Sequence, residues 1–126
     1  MTDLEIVQSQ AKIGDKPMML VFSGSDWCGW CVKFDREVLS QPEFATWLRA
    51  NAVLYTADFP EHTPQPAELR RQNAELAQKY GVDSFPTVIL TRPDGTEIAR
   101  TGYRPGGASA YAEHLYQLLA GLGIPT

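Results

Sequence analysis

Met18-Met19-Leu20-Val21-Phe22-Ser23 leads through Gly24-Ser25-Asp26 into Trp27-Cys28-Gly29-Trp30-Cys31. The first six residues form a continuous apolar run of strand length, the pattern of a strand covered on both faces. Residues 28–39 read as a helix, so the two cysteines sit where a buried strand turns into a helix. That position has its own chemistry. The first turn of a helix carries unpaired N–H groups and a partial positive charge. A thiolate at Cys28 would be stabilised there, which predicts a pKa below the free value of about 8.5. The thiolate is the nucleophile of disulfide exchange and attacks a substrate disulfide to give a mixed disulfide. Cys31, less than one turn further on, can reach the Cys28 sulfur and release the reduced substrate. Cys28 is expected at the exposed edge and Cys31 deeper, which assigns attack to the first and resolution to the second.

Two other uses of the pair stay open at this level. A zinc site usually needs four ligands, and only His62 and His114 are left to complete one, neither at ligand spacing. Inert core cysteines are the third reading. The Trp-Cys context of a strand-to-helix turn favours redox chemistry over both.

Working outward, residues 3–13 read as a helix with Leu4, Val7 and Ala11 on one side and Gly14 as its stop. Ser40-Gln41-Pro42-Glu43 reads as a fresh helix start, a Ser cap with Glu three residues on, carrying Phe44, Trp47 and Leu48 inward. Residues 52–57 read as a strand. Phe59-Pro60-Glu61-His62-Thr63-Pro64-Gln65-Pro66 is a loop, because each proline removes a backbone donor and fixes φ. Residues 66–80 form a helix with Leu69, Leu76, Ala77 and Tyr80 on one face, and Gly81 suits its left-handed end. Residues 87–91 and 96–101 read as strands joined by Arg92-Pro93-Asp94-Gly95, a type I turn signature, hence an antiparallel hairpin. The last helix covers residues 108–120, with Tyr111, Leu115, Leu118 and Leu122 spaced for one face. This order predicts an α/β fold. Its mixed sheet has parallel strands first and the hairpin last, with helices on both faces.

The 126 residues suit a single domain over 1–126, large enough to bury a core without staples, and two cysteines are too few for a disulfide scaffold. A net charge of −4, with Arg70-Arg71 as the densest basic pair, argues against a nucleic-acid partner. Apolar runs are strand-sized, so no membrane insertion is expected. Met1-Thr2-Asp3-Leu4-Glu5 is acidic and amphipathic and does not look like a secretory leader. Two settings stay open: cytoplasmic with a native N-terminus, or periplasmic or otherwise exported with a leader removed.

Ser84-Phe85-Pro86-Thr87 supplies the second element. Proline is tolerated where a strand opens, and an X–Pro bond takes the cis form at a cost of only about 0.5–1 kcal/mol. A plain trans strand start is the alternative. Cys28-Gly29-Trp30-Cys31 after strand residues 19–23, with Phe85-Pro86-Thr87 before a hairpin, resembles the thioredoxin superfamily over nearly the whole chain. That resemblance implies a thioredoxin fold with Pro86 cis and beside the Cys28–Cys31 disulfide. The backbone of its neighbour would pair with an extended substrate. Ala57-Asp58-Phe59-Pro60, Gln72-Asn73, Lys79-Tyr80-Gly81-Val82 and Gly102-Tyr103-Arg104-Pro105-Gly106-Gly107 narrow the likeness. They resemble a bacterial branch, often exported, that includes periplasmic disulfide reductases and isomerases.

The implied activity is a protein disulfide reductase or isomerase. It has no metal and no cofactor beyond the redox-active disulfide, and it acts as a monomer. Its partners are proteins bearing disulfides or thiols, and a separate redox partner resets the dithiol. A disulfide-donating oxidase, or a fold kept as a binding or metal-holding module, are the alternatives. Departures from thioredoxin add detail. Trp30 stands where thioredoxin has proline and protein disulfide isomerase has histidine, so no imidazolium assists the thiolate. This places the expected potential in the reducing half of a family range of about −270 to about −120 mV. Phe22 and Leu54 replace the buried acid and lysine of thioredoxin, so the usual proton relay to the resolving thiol is missing. Asp26 reads as a solvated acid on the rim. Trp27, Gly29, Trp30 and Pro86 are expected to support the site, and Trp30, Phe85, Gly102 and Tyr103 to contact substrate, with Arg104 bordering. Gly106 and Gly107 should only start the last helix, and Trp47, Tyr80, Tyr111 and Tyr116 should serve packing.

Overall fold

The alternation of side chains along one strand sets the layers. A computed structural model describes residues 3–121. In it β1 (Met18–Ser23) is the inner strand predicted from its apolar run, buried along nearly its whole length. Successive strand residues point to opposite faces. Met19 and Val21 therefore enter one cluster, and Met18, Leu20 and Phe22 the other. The first face is covered by α2 (Gly29–Phe34), α3 (Pro42–Asn51) and α5 (Gly107–Gly121), which supply Phe34, Phe44, Tyr111, Leu115 and Leu119. The second is covered by α1 (Asp3–Gly14) and α4 (Ala67–Tyr80), which supply Ala11 and Leu76.

The sheet order is β2 (Val53–Asp58), β1, β3 (Thr87–Thr91), β4 (Glu97–Gly102). β1 and β2 run parallel with Ser23 opposite Asp58, and β3 runs antiparallel to both β1 and β4. One consequence decides the site. The ends of β1, β2 and β4 and the start of β3 all lie at one edge, since Phe22 pairs Thr87 and Thr87 pairs Gly102. The cysteine loop, the proline loop, the Phe85-Pro86 turn and the Tyr103 turn are therefore neighbours.

The α/β thioredoxin-type architecture is the one the sequence predicts, with local corrections. The helix over 28–39 is not uniform: α2 ends at Phe34 and Asp35–Leu39 forms a π-helical turn. Ser40 is not the cap of α3. Its hydroxyl donates to Asp35 (2.9 Å) and its N–H to the Asp35 carbonyl (2.8 Å), so it closes the preceding turn. Gln41 precedes Pro42 at the start of α3 without a side-chain cap bond. β4 begins at Glu97 because the N–H of Thr96 is taken by the Asp94 carboxylate (2.9 Å) in the turn, and the register shifts at Leu90/Thr91. In α5 it is Leu119 rather than Leu118 that is fully buried beside Tyr111 and Leu115, and Leu122 lies outside the described residues. Tyr116, expected to pack, is exposed. Trp47 stacks on Phe44 at 5.7 Å, and the Tyr80 hydroxyl donates to the Gly95 carbonyl. Among the described residues no helix is long and apolar enough to cross a membrane.

Candidate active site

Residues 24–28 turn the chain from β1 into α2. The N–H groups of Trp27 and Cys28 both donate to the Gly24 carbonyl, at 3.3 and 2.9 Å, which folds the loop tightly. Gly24 is needed there: a Cβ would lie 2.3 Å from the indole of Trp27. Cys28 is the N-cap of α2, with extended φ −96° and ψ 105°. Its sulfur accepts the N–H of Cys31 at 3.2 Å, one of the donors that a helix start leaves unpaired. Cys28 and Cys31 form a disulfide with α-carbons 5.2 Å apart. The Cys31 sulfur also accepts the N–H of Gly24 at 3.5 Å. Both cysteines are buried, Cys28 8% exposed and Cys31 3%. The expected order of depth is present, but Cys28 is not an open edge. The Phe85 carbonyl lies 3.8 Å from its sulfur, and the Phe85–Pro86 bond beside it is cis.

The aromatic residues expected around the disulfide fall into two groups. On one side, Trp27 packs edge-on to Phe85 (5.6 Å between centroids) and Phe59 packs on Phe85 (5.3 Å). The Trp27 indole N–H donates to the Phe59 carbonyl at 2.6 Å. Trp27 is 41% exposed, so it is a wall of the site rather than core. On the other side, Trp30 (59% exposed) packs on Tyr103 at 5.3 Å. Lys33 lies over both rings and pairs with Glu37 at 3.9 Å. Glu37 in turn accepts the Tyr103 hydroxyl at 2.5 Å, which pushes the phenol pKa up. Gly102 lies between the groups, its backbone against the Pro86 carbonyl, where a Cβ would come to 3.2 Å. Gly29 has open space around its α-carbon. Arg104 is turned to His114 (3.2 Å), whose other ring nitrogen meets Thr101 at 2.8 Å. Burial and the Arg104 charge lower the His114 pKa. Gly106 and Gly107 take positive φ, 118° and 86°, at the entry to α5.

Asp26 corrects the reading of a solvated acid. Its two carboxylate oxygens accept the N–H groups of Glu61 (2.9 Å), His62 (2.8 Å) and Thr63 (2.7 Å). Those bonds, Glu61 first, hold its pKa down at about 2. The signal was in the sequence. Pro60 and Pro64 confine three consecutive N–H groups to a turn with no ladder to join, and a carboxylate is a natural acceptor for such a run.

Two further residues, Asp58 and Asn73, enter the sequence reading only through the family likeness and without a role of their own. Asp58, at the end of β2, accepts both the N–H (2.9 Å) and the hydroxyl (2.6 Å) of Ser25. Buried Asn73 donates to the Asp58 carbonyl (3.2 Å) and accepts the Tyr55 hydroxyl (2.5 Å), which pins the strand end to α4. A polar residue on the buried face of a helix escapes a reading that looks for apolar periodicity. Among the described residues no three metal-ligating side chains converge.

The relatives of the chain agree with this geometry. It is 37% identical over 109 residues to the disulfide bond reductase DsbH of Chlamydia pneumoniae, covering 86% of this chain and 66% of that protein. It is 34% identical over 100 residues to the thioredoxin-related protein DsbJ of the same organism, covering 79% of this chain and 29% of that one. The chain thus spans slightly less than two thirds of DsbH and under a third of DsbJ. Among solved structures, a DsbH oxidoreductase superposes with a TM-score of 0.88 at 34% identity, over 95% of this chain and 83% of that one. The oxidised C-terminal domain of Neisseria meningitidis DsbD superposes with a TM-score of 0.60 at 25% identity, over 90% of each. Residues 4–115 match the thioredoxin-like domain model, and the chain belongs to that family.

Proposed function

We propose that the chain reduces disulfides in protein substrates by thiol–disulfide exchange. Cys28 is the attacking thiol and Cys31 the resolving one. The observation that carries this is Cys28 at the cap of α2 with its sulfur receiving the Cys31 N–H, an arrangement that favours the thiolate. The Cys28 thiolate attacks one substrate sulfur and the other leaves as a thiolate. Cys31 then attacks Cys28, the mixed disulfide breaks, and the substrate is released with both electrons. The couple itself stores those electrons, so no other cofactor is called for, and a second dithiol protein must reset it. The names of the relatives, a disulfide bond reductase first among them, favour reduction over oxidation. The open aromatic walls at Trp27 and Trp30 suit extended, apolar protein segments. The same kinship supports an exported setting, which fractionation of the source cell would test.

Trapping is the direct test. With Cys31→Ser in the source cell, substrates should stay covalently joined to Cys28, and alkylation of Cys28 should titrate below about pH 8.5. The potential should fall between about −270 and about −180 mV, the values of thioredoxin and protein disulfide isomerase. Failure to trap any protein, with Cys28 reacting like an ordinary buried thiol, overturns the proposal.

A further inference from the structure

Resolution requires Cys31 to lose its proton, and Cys31 is buried to 3% exposure. Burial in apolar surroundings disfavours the thiolate. The strand position that could carry a buried base holds Phe22, which is itself fully buried. On the side of Cys31 facing β2, however, a cavity of about 250 Å³ reaches the cysteine. It is lined by Val21, Ser23, Ser25, Cys31, Asp35 and Asp58 among others. That volume is ample for several waters, and serines and a carboxylate offer them partners. Besides Cys31, the titratable groups on its wall are Asp35 and Asp58.

We propose that Asp58 accepts the Cys31 proton through water in this cavity, taking the place of a base on β1. This deepens the exchange reading and rests on it. Asp58 is the better placed of the two acids. It is half-buried, stands opposite Ser23 in the β1–β2 register, and is held by Ser25 through both carboxylate oxygens. Its carbonyl is fixed by Gln65 (3.1 Å) and Asn73 (3.2 Å). Asp35 is exposed and bonded to Ser40 in the π-helical turn. In the step, the Cys31 S–H proton passes to Asp58. The Cys31 thiolate attacks the Cys28 sulfur, the Cys28–substrate S–S bond breaks and the Cys28–Cys31 bond forms. The substrate thiolate leaves with the electron pair and takes up a proton, which Asp58 or solvent supplies. Gly24 N–H, already on the Cys31 sulfur, stabilises the transient charge.

The test uses Asp58→Asn, which can still accept the Ser25 N–H. A mixed disulfide with a labelled peptide is formed and its resolution timed across pH. The expected result is resolution slowed about tenfold or more, as for loss of a positioned base. The rate should become proportional to hydroxide near neutrality, where the parent protein responds less steeply. In a Cys31→Ser background, the same change should leave formation of the mixed disulfide at its parent rate. Asp35→Asn should resolve normally. The proposal falls if Asp58→Asn resolves with the parent rate and pH profile, if both steps slow equally, or if Asp35→Asn produces the slowing. If Cys31→Ser forms no mixed disulfide at all, the exchange reading itself fails, and this proposal with it.

Discussion

The two aromatic walls beside the disulfide are built differently. The wall of Trp27, Phe59 and Phe85 is tied to main chain: the indole holds the Phe59 carbonyl, and Asp26 holds three successive N–H groups of the proline loop. The wall of Trp30, Tyr103, Lys33 and Glu37 is held by side chains touching side chains on an exposed surface. Bonds from fixed donors to a charged acceptor are strong and shape the backbone. Contacts between long exposed side chains are worth little and rearrange readily. The first wall is therefore the fixed one and the second the adaptable one. Under the proposed exchange reaction, the first would set the direction of an incoming segment and the second would accept varied side chains.

Substitutions can break this contrast. The largest effect is expected at Gly24→Ala, whose new methyl must displace the Trp27 indole and its bond to Phe59. Overpacking of this kind costs about 1–3 kcal/mol, read in a denaturant melt, and peptide reduction should weaken with it. Full parental stability would mean that Trp27 yields easily and the first wall is not fixed. Asp26→Asn comes next. It should leave the fold intact but raise KM for disulfide peptides several-fold and lower amide protection at His62 and Thr63. The pH dependence sharpens the point. The folded pKa of Asp26 is depressed from 3.8 to about 2, so its hold on the loop is complete above about pH 4. That hold is lost as pH falls toward 2. Protection that stays level over that window would assign the loop's order to the prolines instead. Trp30→Ala should have the smallest effect, a stability change within about 0.5 kcal/mol, with modest losses spread over many peptides. A selective loss for one peptide class would make the second wall the specific one.

Most of the scaffold was legible because it rests on periodicity. β1 could be read from its apolar run and the hairpin from Pro93 and Gly95, and the cysteine pair announced its own position. What escaped was set by partners distant in sequence. Asp26 gains its role from Glu61 to Thr63, and Asp58 from Ser25 and Asn73, pairings that exist only once the loops meet at the sheet edge. Ser40 misled because its spacing from Glu43 imitates a helix start. The chain uses its hydroxyl to close the turn before instead.

The π-helical turn at Asp35–Leu39 has a bearing on kinship. Such a turn amounts to one surplus residue within an otherwise α-helical path. Any cousin whose coil stays regular through this stretch must be matched with a one-position gap there. Without the gap, Val38 would be equated with a neighbour about 100° around the helix. A buried core position would then be mistaken for an outer one.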